Sequence, residues 1–219
     1  MKKMLETIQK KYQFIKKLNF IKTLYYSLRF GGFIFVGKGK IFIEGNGKIE
    51  FTSRTSCLFV GVYTTVDTPT VITIQNNSKL IVGYRSMIHR GTKVVVHNGG
   101  VLTLGNSTYI NENARIHCKK KITIGNNCAI AWNTNLIDTD LHTIHFTNKQ
   151  TNKQTNNDAA ITIGNHVWIG ANTTILKGST INNNCIIGAN SIVRGTLNSR
   201  HIYSGNPAVD KGTFEYWEI

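Results

Sequence analysis

Two aspartates and two histidines fall within eight positions of the stretch LIDTDLHTIHF at 136–146: Asp138, Asp140, His142 and His145. Histidine, with an ordinary pKa near 6.5, is suited to taking and returning a proton at neutral pH. A general base of this kind contributes about 10²- to 10⁴-fold to a rate. A carboxylate on the other ring nitrogen fixes the tautomer and stabilises the imidazolium that forms. The stretch thus holds the parts of a base and its orienting acid. Taken alone, it reads equally as a polar turn whose aspartates accept local backbone N–H groups. The surrounding framework decides between the two.

That framework is periodic. Ile163, Ile169, Ile175, Ile181, Ile187 and Val193 stand six residues apart, and Val167, Thr173, Ser179, Cys185, Ser191 and Leu197 follow each of them by four. Upstream, Leu104, Ile110, Ile116 and Ile122 keep the same beat, which slips by two and resumes at Ile124, Ile130 and Leu136. A period of six suits neither a helix nor a lone strand. It suits a three-sided solenoid in which each side repeats one aliphatic and one small inward position, with Gly and Asn at the corners. Cys128 and Cys185 then pack in the core. The beat puts Lys120, amid CKKK, at a small inward position; the expectation is an exposed bulge, with a basic patch for an anionic acceptor as the alternative. It would also put Asp140 inward, which is costly for an unpaired carboxylate. Regular coiling should therefore end near Asp138 and give way to a polar loop over about 141–160 before rejoining at Ile161.

Residues 1–30 read as one amphipathic helix, with Leu5, Ile8, Tyr12, Ile15, Leu18, Ile21, Tyr25 and Leu28 on a stripe amid lysines. It serves as a cap for the solenoid over 31–203, as a helix lying on an anionic membrane surface, or as both. Residues 204–219 form a tail and second cap. The chain has 26 Lys+Arg against 11 Asp+Glu, a formal charge of +15, which favours anionic partners. Nothing resembles a nucleic-acid-binding module. The four cysteines lack a CxxC pair, and neither a signal peptide nor an apolar run long enough to span a bilayer is evident. A cytoplasmic location is expected, at the inner face of the membrane if the helix binds lipid.

The motif ITIGNHVWIGANTTILKGSTINNNCIIGANSIVRG at 161–195, with SGNPA at 204–208, resembles the left-handed β-helix acyltransferases of the hexapeptide-repeat superfamily. ITIGNNCAIAWNTNLIDTDLHTI and the N-terminal KTLYYSLRF are similar to the branch that O-acetylates capsule and O-antigen polysaccharides. The resemblance implies a mainly β, left-handed parallel β-helix with a loop at the active site, acting as a homotrimer with sites between subunits. It implies acetyl-CoA as donor, a saccharide acceptor and no metal.

Carried over by motif, His142 in DTDLH is the catalytic base, preferred over His145, which lies beyond the motif. Asp140 is the first choice to orient it and Asp138, also placed at the acceptor, the second. Asn111 in YINEN matches an acceptor-pocket position, with an ordinary corner asparagine as the alternative. Trp132 and Asn133 precede the loop and line the sugar site, unless Trp132 is surface packing. Trp168 in VWIG stands at the cleft, with packing as its alternative, and Ala171 and Ala189 leave room for the pantetheine. Where some members carry Thr-Lys, this chain has Arg194-Gly195, leaving Arg194 and Lys211 for the CoA phosphates. Other readings are N-acetylation of an amino-sugar nucleotide, a zinc site drawing on His117, His142 and His145, and a noncatalytic scaffold. HTIH lacks the wider histidine spacing of the β-helix carbonic anhydrases.

Overall fold

The computed structural model describes residues 2–62, 67–142 and 157–218. From Phe33 the chain winds through short strands into three parallel sheets that form the faces of a prism. Face 1 has nine strands, running from Phe33–Val36 to His201–Ser204 and Val209–Thr213. Face 2 has seven, from Ile41–Glu44 to Ile192–Val193, and face 3 seven, from Lys48–Phe51 to Thr196–Leu197. Each strand pairs with the strand three further along the chain. Only the last pair, His201–Ser204 with Val209–Thr213, is antiparallel.

The core is a stack of aliphatic ladders. Ile116 lies between Val94 and Leu136, and Ile169 between Ile130 and Ile187, all of them fully buried. The small positions read from the sequence also turn inward: Val167, Thr173, Ser179, Cys185 and Ser191 are wholly buried, and so is Cys128. At the corner between faces 3 and 1, asparagines chain the coils together. Asn126 Oδ1 accepts from Asn106 N at 2.7 Å, Asn165 Oδ1 from Asn126 N at 2.8 Å and Asn183 Oδ1 from Asn165 N at 2.7 Å. The next corner of the later coils is turned by asparagines in the left-handed region, including Asn133 (φ 56°), Asn172 (φ 59°) and Asn190 (φ 57°).

The strict six-residue beat holds only after residue 161. Val94 pairs with Ile116, 22 residues on, Ile116 with Leu136, 20 on, and Ile169 with Ile187, 18 on. The slip between Ile122 and Ile124 is therefore no break in the coil. The earlier strands of faces 2 and 3 are longer, so positions i and i+2 both point inward, as Ile122 and Ile124 do. Lys120 occupies no inward position; it stands exposed in the turn after strand Arg115–Cys118.

The N-terminal segment is two helices, α1 (Lys2–Lys17) and α2 (Phe20–Phe30), where one continuous helix was expected. Asn19 breaks it: its backbone is extended and its side chain accepts from Lys22 N at 3.0 Å, an N-cap that starts α2. The cap function holds. Strand-edge N–H groups of Ile34, Val36 and Ile43 donate to Ser27 Oγ, Thr23 Oγ1 and Tyr26 Oη at 3.1, 3.0 and 3.1 Å, so α2 closes the open end of the solenoid. The apolar stripe does not supply this contact. Ile21 is 83% exposed and Leu28 75%, while Leu18 and Tyr26 are buried. Among the described residues no helix is long and apolar enough to cross a membrane.

Candidate active site

Regular coiling ends where the sequence placed it, and Asp138 shows why. It follows Leu136 at the second inward position of strand Asn135–Ile137, directly after Ile137, and is fully buried. Its carboxylate meets the turn of the coil beneath: Oδ1 accepts from Lys119 N at 2.7 Å, and Oδ2 from Lys120 N at 2.8 Å and Lys121 N at 2.7 Å. Both oxygens are thus engaged by backbone amides inside the protein. Asp138, read from the sequence as an acceptor residue and as second choice to orient the base, is thus wholly buried and holds the turn of the preceding coil.

Beyond Asp138 the chain leaves the prism at the corner between faces 2 and 3. Thr139 bridges Asp158 in antiparallel fashion, with Thr139 Oγ1 donating to Asp158 Oδ1 at 2.5 Å, and Asp140 N donating to Asn157 O at 2.9 Å. The two ends of the excursion are thereby pinched together. Asp140 turns outward and pairs with Lys177 Nζ at 2.5 Å. Lys177, from the ILKG hexad of a later coil, is a partner that sequence reasoning missed. His142 is exposed and has no hydrogen-bond partner among the described residues. His145 lies outside the described residues. His117 stacks on His97 with ring centroids 5.7 Å apart and sits 3.4 Å from it nitrogen to nitrogen, rather than gathering with His142.

A second group of candidates meets on face 1. Asn111, Trp132 and Trp168 line one cleft of about 260 Å³, together with Tyr109, Ala131 and the tail residue Trp217. Trp217 stacks on the His166 ring (centroids 4.3 Å, planes 9° apart), donates its Nε1–H to His166 O at 3.2 Å and reaches Trp168 at 6.1 Å. The tail therefore folds back and builds a wall of the cleft. Tyr109 and Trp217 were not found in the sequence; the aromatic run FEYWEI gave no period by which to place it.

Ala171 and Ala189 succeed Trp132 on the following coils, linked by Asn172 N to Trp132 O at 3.1 Å and Asn190 N to Ala171 O at 2.9 Å. They form a low path away from the aromatic cleft. A side chain added at Gly170 would stand 2.6 Å from Ala189 N, so the coils touch here through backbone. Asn133 does not share the cleft with Trp132. It turns round the corner, donates to Asn172 Oδ1 at 3.1 Å and borders a groove of about 600 Å³ with Lys93, Asn113 and Arg115. Arg194, exposed, follows strand Ile192–Val193 at the corner between faces 2 and 3, whereas Lys211 is exposed in strand Val209–Thr213 at the end of face 1.

Burial governs the titration around the site. It lowers His89 below the usual 6.5, against the pull of Glu112. It also lowers His97, helped by the adjacent His117. The Cys118 thiol is pushed up to about 12 by burial first and the Asp138 charge second. All four cysteines are free and buried.

Comparison with known proteins bears on this arrangement. Residues 160–195 match the family described as bacterial transferase hexapeptide (six repeats). The O-acetyl transferase WbbJ of Escherichia coli (strain K12), named for lipopolysaccharide biosynthesis, is 26% identical over 141 residues, which cover 62% of this chain and 72% of that one. The galactoside O-acetyltransferase of the same strain is 36% identical over 109 residues, 50% of this chain and 52% of its own length, so the chain spans about half of that relative. The crystal structure of the polysialic acid O-acetyltransferase OatWY superposes with a TM-score of 0.65 at 24% identity, covering 82% of this chain and 91% of that one.

A three-faced parallel coil closed by hexapeptide repeats is the left-handed β-helix of this class. Residues 160–195 carry the hexapeptide-repeat signature, and the chain is similar to acetyltransferases built on the same fold.

Proposed function

We propose that the protein transfers the acetyl group of acetyl-CoA to a sugar hydroxyl of a bacterial surface polysaccharide or its lipid-linked precursor, with His142 as general base. The observation that carries this reading is the presentation of His142. Coiling stops at the buried Asp138, Thr139 and Asp158 pinch the exit, and Lys177 anchors Asp140 two residues before an exposed imidazole. His142 takes the proton of the acceptor hydroxyl as its oxygen attacks the thioester carbonyl. The imidazolium returns that proton to the departing CoA sulfur. Asp140, fixed in place by Lys177, is assigned the orienting role. Transfer is direct in a ternary complex, because each cysteine is buried in the solenoid and the Cys118 thiol is held protonated.

Trp168, Ala171 and Ala189 mark the donor path, and Asn111 and Trp132 the acceptor side of the face 1 cleft. Arg194 and Lys211 are assigned to the CoA phosphates. In a single chain this cleft and His142 are separated by the width of face 2. A neighbouring copy supplies the missing half, and closing that contact with threefold symmetry gives a homotrimer with three sites. The N-terminal helices add a peripheral membrane contact at the cytoplasmic face. Phe20, Ile21, Leu24 and Leu28 are 61–83% exposed along one side of α2, and Lys10, Lys11 and Lys16 of α1 are exposed as well.

Calorimetry with a parallel thermal shift tests the donor. Acetyl-CoA at about 100 times its Kd should add roughly 2.7 kcal/mol of apparent stability at one site per chain. No binding at millimolar acetyl-CoA would overturn the reading.

A further inference from the structure

The turn that Asp138 holds has a shape unlike its neighbour. Between faces 2 and 3 the preceding coil uses four residues, His97 to Gly100, to link strands Lys93–Val96 and Val101–Leu104. The next coil uses two, Lys119 and Lys120, between Arg115–Cys118 and Lys121–Ile124. Three consecutive lysines thus sit on a tight turn with all three side chains exposed. Their backbone N–H groups converge on one buried carboxylate, which fixes the turn from within. Because that carboxylate spends its oxygens on the amides, it pairs with none of the three ammonium groups. Lys120 and Lys121 have no ion pair among the described residues, and Lys119 Nζ reaches only Asp158 Oδ2, at 3.9 Å.

The turn also lies against the exit. Asp158 links it to Thr139, three residues before His142, and Asp138 is the first residue of DTDLH. A cationic turn held from within therefore borders the point where the chain leaves the coil toward His142. The structure assigns it a ligand: we propose that the acceptor is acidic, and that Lys119, Lys120 and Lys121 bind a carboxylate or phosphate of the saccharide next to the hydroxyl that is acetylated. This rests on the acetyl-transfer reading above. The same anion chemistry is offered by the phosphates of CoA, so the test separates the two sources.

Lys119→Ala/Lys120→Ala removes two charges and keeps the amides that Asp138 holds, and circular dichroism checks that the fold is unchanged. Calorimetry with oligogalacturonate, oligosialic acid and their methyl esters then compares charged with neutralised forms of the same sugars. The wild-type protein should bind at least one acid better than its ester. The double variant should lose that preference, with affinity for the acid falling at least about five-fold, while affinity for acetyl-CoA stays the same. A wild-type protein that prefers no acid over its ester would overturn the proposal, as would a double variant that keeps the preference. A variant that loses acetyl-CoA affinity and keeps the acid would reassign the turn to the donor phosphates, which also overturns it. These titrations need no turnover, so they read out even if acetyl-CoA fails to bind and the acetyl-transfer reading falls.

Discussion

Replacing Asp138 with Asn changes one atom's chemistry in a site with no spare acceptor. The carboxylate takes three backbone N–H groups on two oxygens. The amide has one oxygen, so at best it keeps the two bonds of Oδ2, and its own N–H₂ then opposes Lys119 N donor to donor. The surviving bonds lose their charge assistance. With hydrogen bonds to charged groups worth about 1.5–3 kcal/mol and an unsatisfied buried donor costing about 1–3 kcal/mol, the substitution should cost roughly 3 kcal/mol. For a chain of this size each kcal/mol lowers Tm by about 2–4 °C, so thermal unfolding followed by circular dichroism should shift down by roughly 10 °C. Asp138→Ala, which orphans all three donors and opens a cavity, should fall further. A Tm for Asp138→Asn within about 2 °C of the wild type would refute the reasoning. A large loss of turnover at unchanged Tm would instead point to a catalytic role for Asp138.

Burial keeps His89 and His97 below the ordinary 6.5, so below that pH the unfolded chain binds more protons than the folded one. Stability should therefore be complete above about pH 6.5 and decline as the pH falls through it, with His89→Gln and His97→Gln each flattening the slope of Tm against pH; a wild-type profile flat between pH 5.5 and 7.5 would contradict this. Ile21→Glu/Leu24→Glu places two charges on the exposed side of α2, away from Tyr26 and its contacts. The variant should keep its Tm and lose co-sedimentation with vesicles containing anionic lipid, whereas undiminished sedimentation would remove the membrane contact.

The solenoid was legible because its inward positions repeat at fixed spacing, and each repeat is local in sequence. From Ile161 on, the beat placed nearly every buried residue. Upstream the beat alone put Lys120 inward, against the expectation of an exposed lysine that the structure bears out, because coils of 20 and 22 residues still show aliphatics at intervals of two and six, and periodicity alone cannot tell a longer strand from a slip. The helix break at Asn19 was written in its type, an N-cap residue, but was masked by an apolar stripe that continues across it. That stripe proved mostly solvent-facing, since the contacts closing the solenoid come from Thr23, Tyr26 and Ser27. The end of coiling at Asp138 was readable from cost. The partners that explain it, three amides some 18 residues earlier in the chain, were not. Nor were Lys177 and Trp217, which reach the site by stacking of later coils and by a tail that turns back.

The most direct test of the account is acetyl transfer by His142→Ala. With acetyl-CoA as donor and a panel of acidic saccharides as acceptors, thiol release and acetylated product are measured alongside calorimetric binding of acetyl-CoA. The account predicts that transfer falls by about 10²-fold or more while acetyl-CoA binds as it does to the unaltered protein. Transfer at the unaltered rate would show that the base lies elsewhere and contradict the central claim.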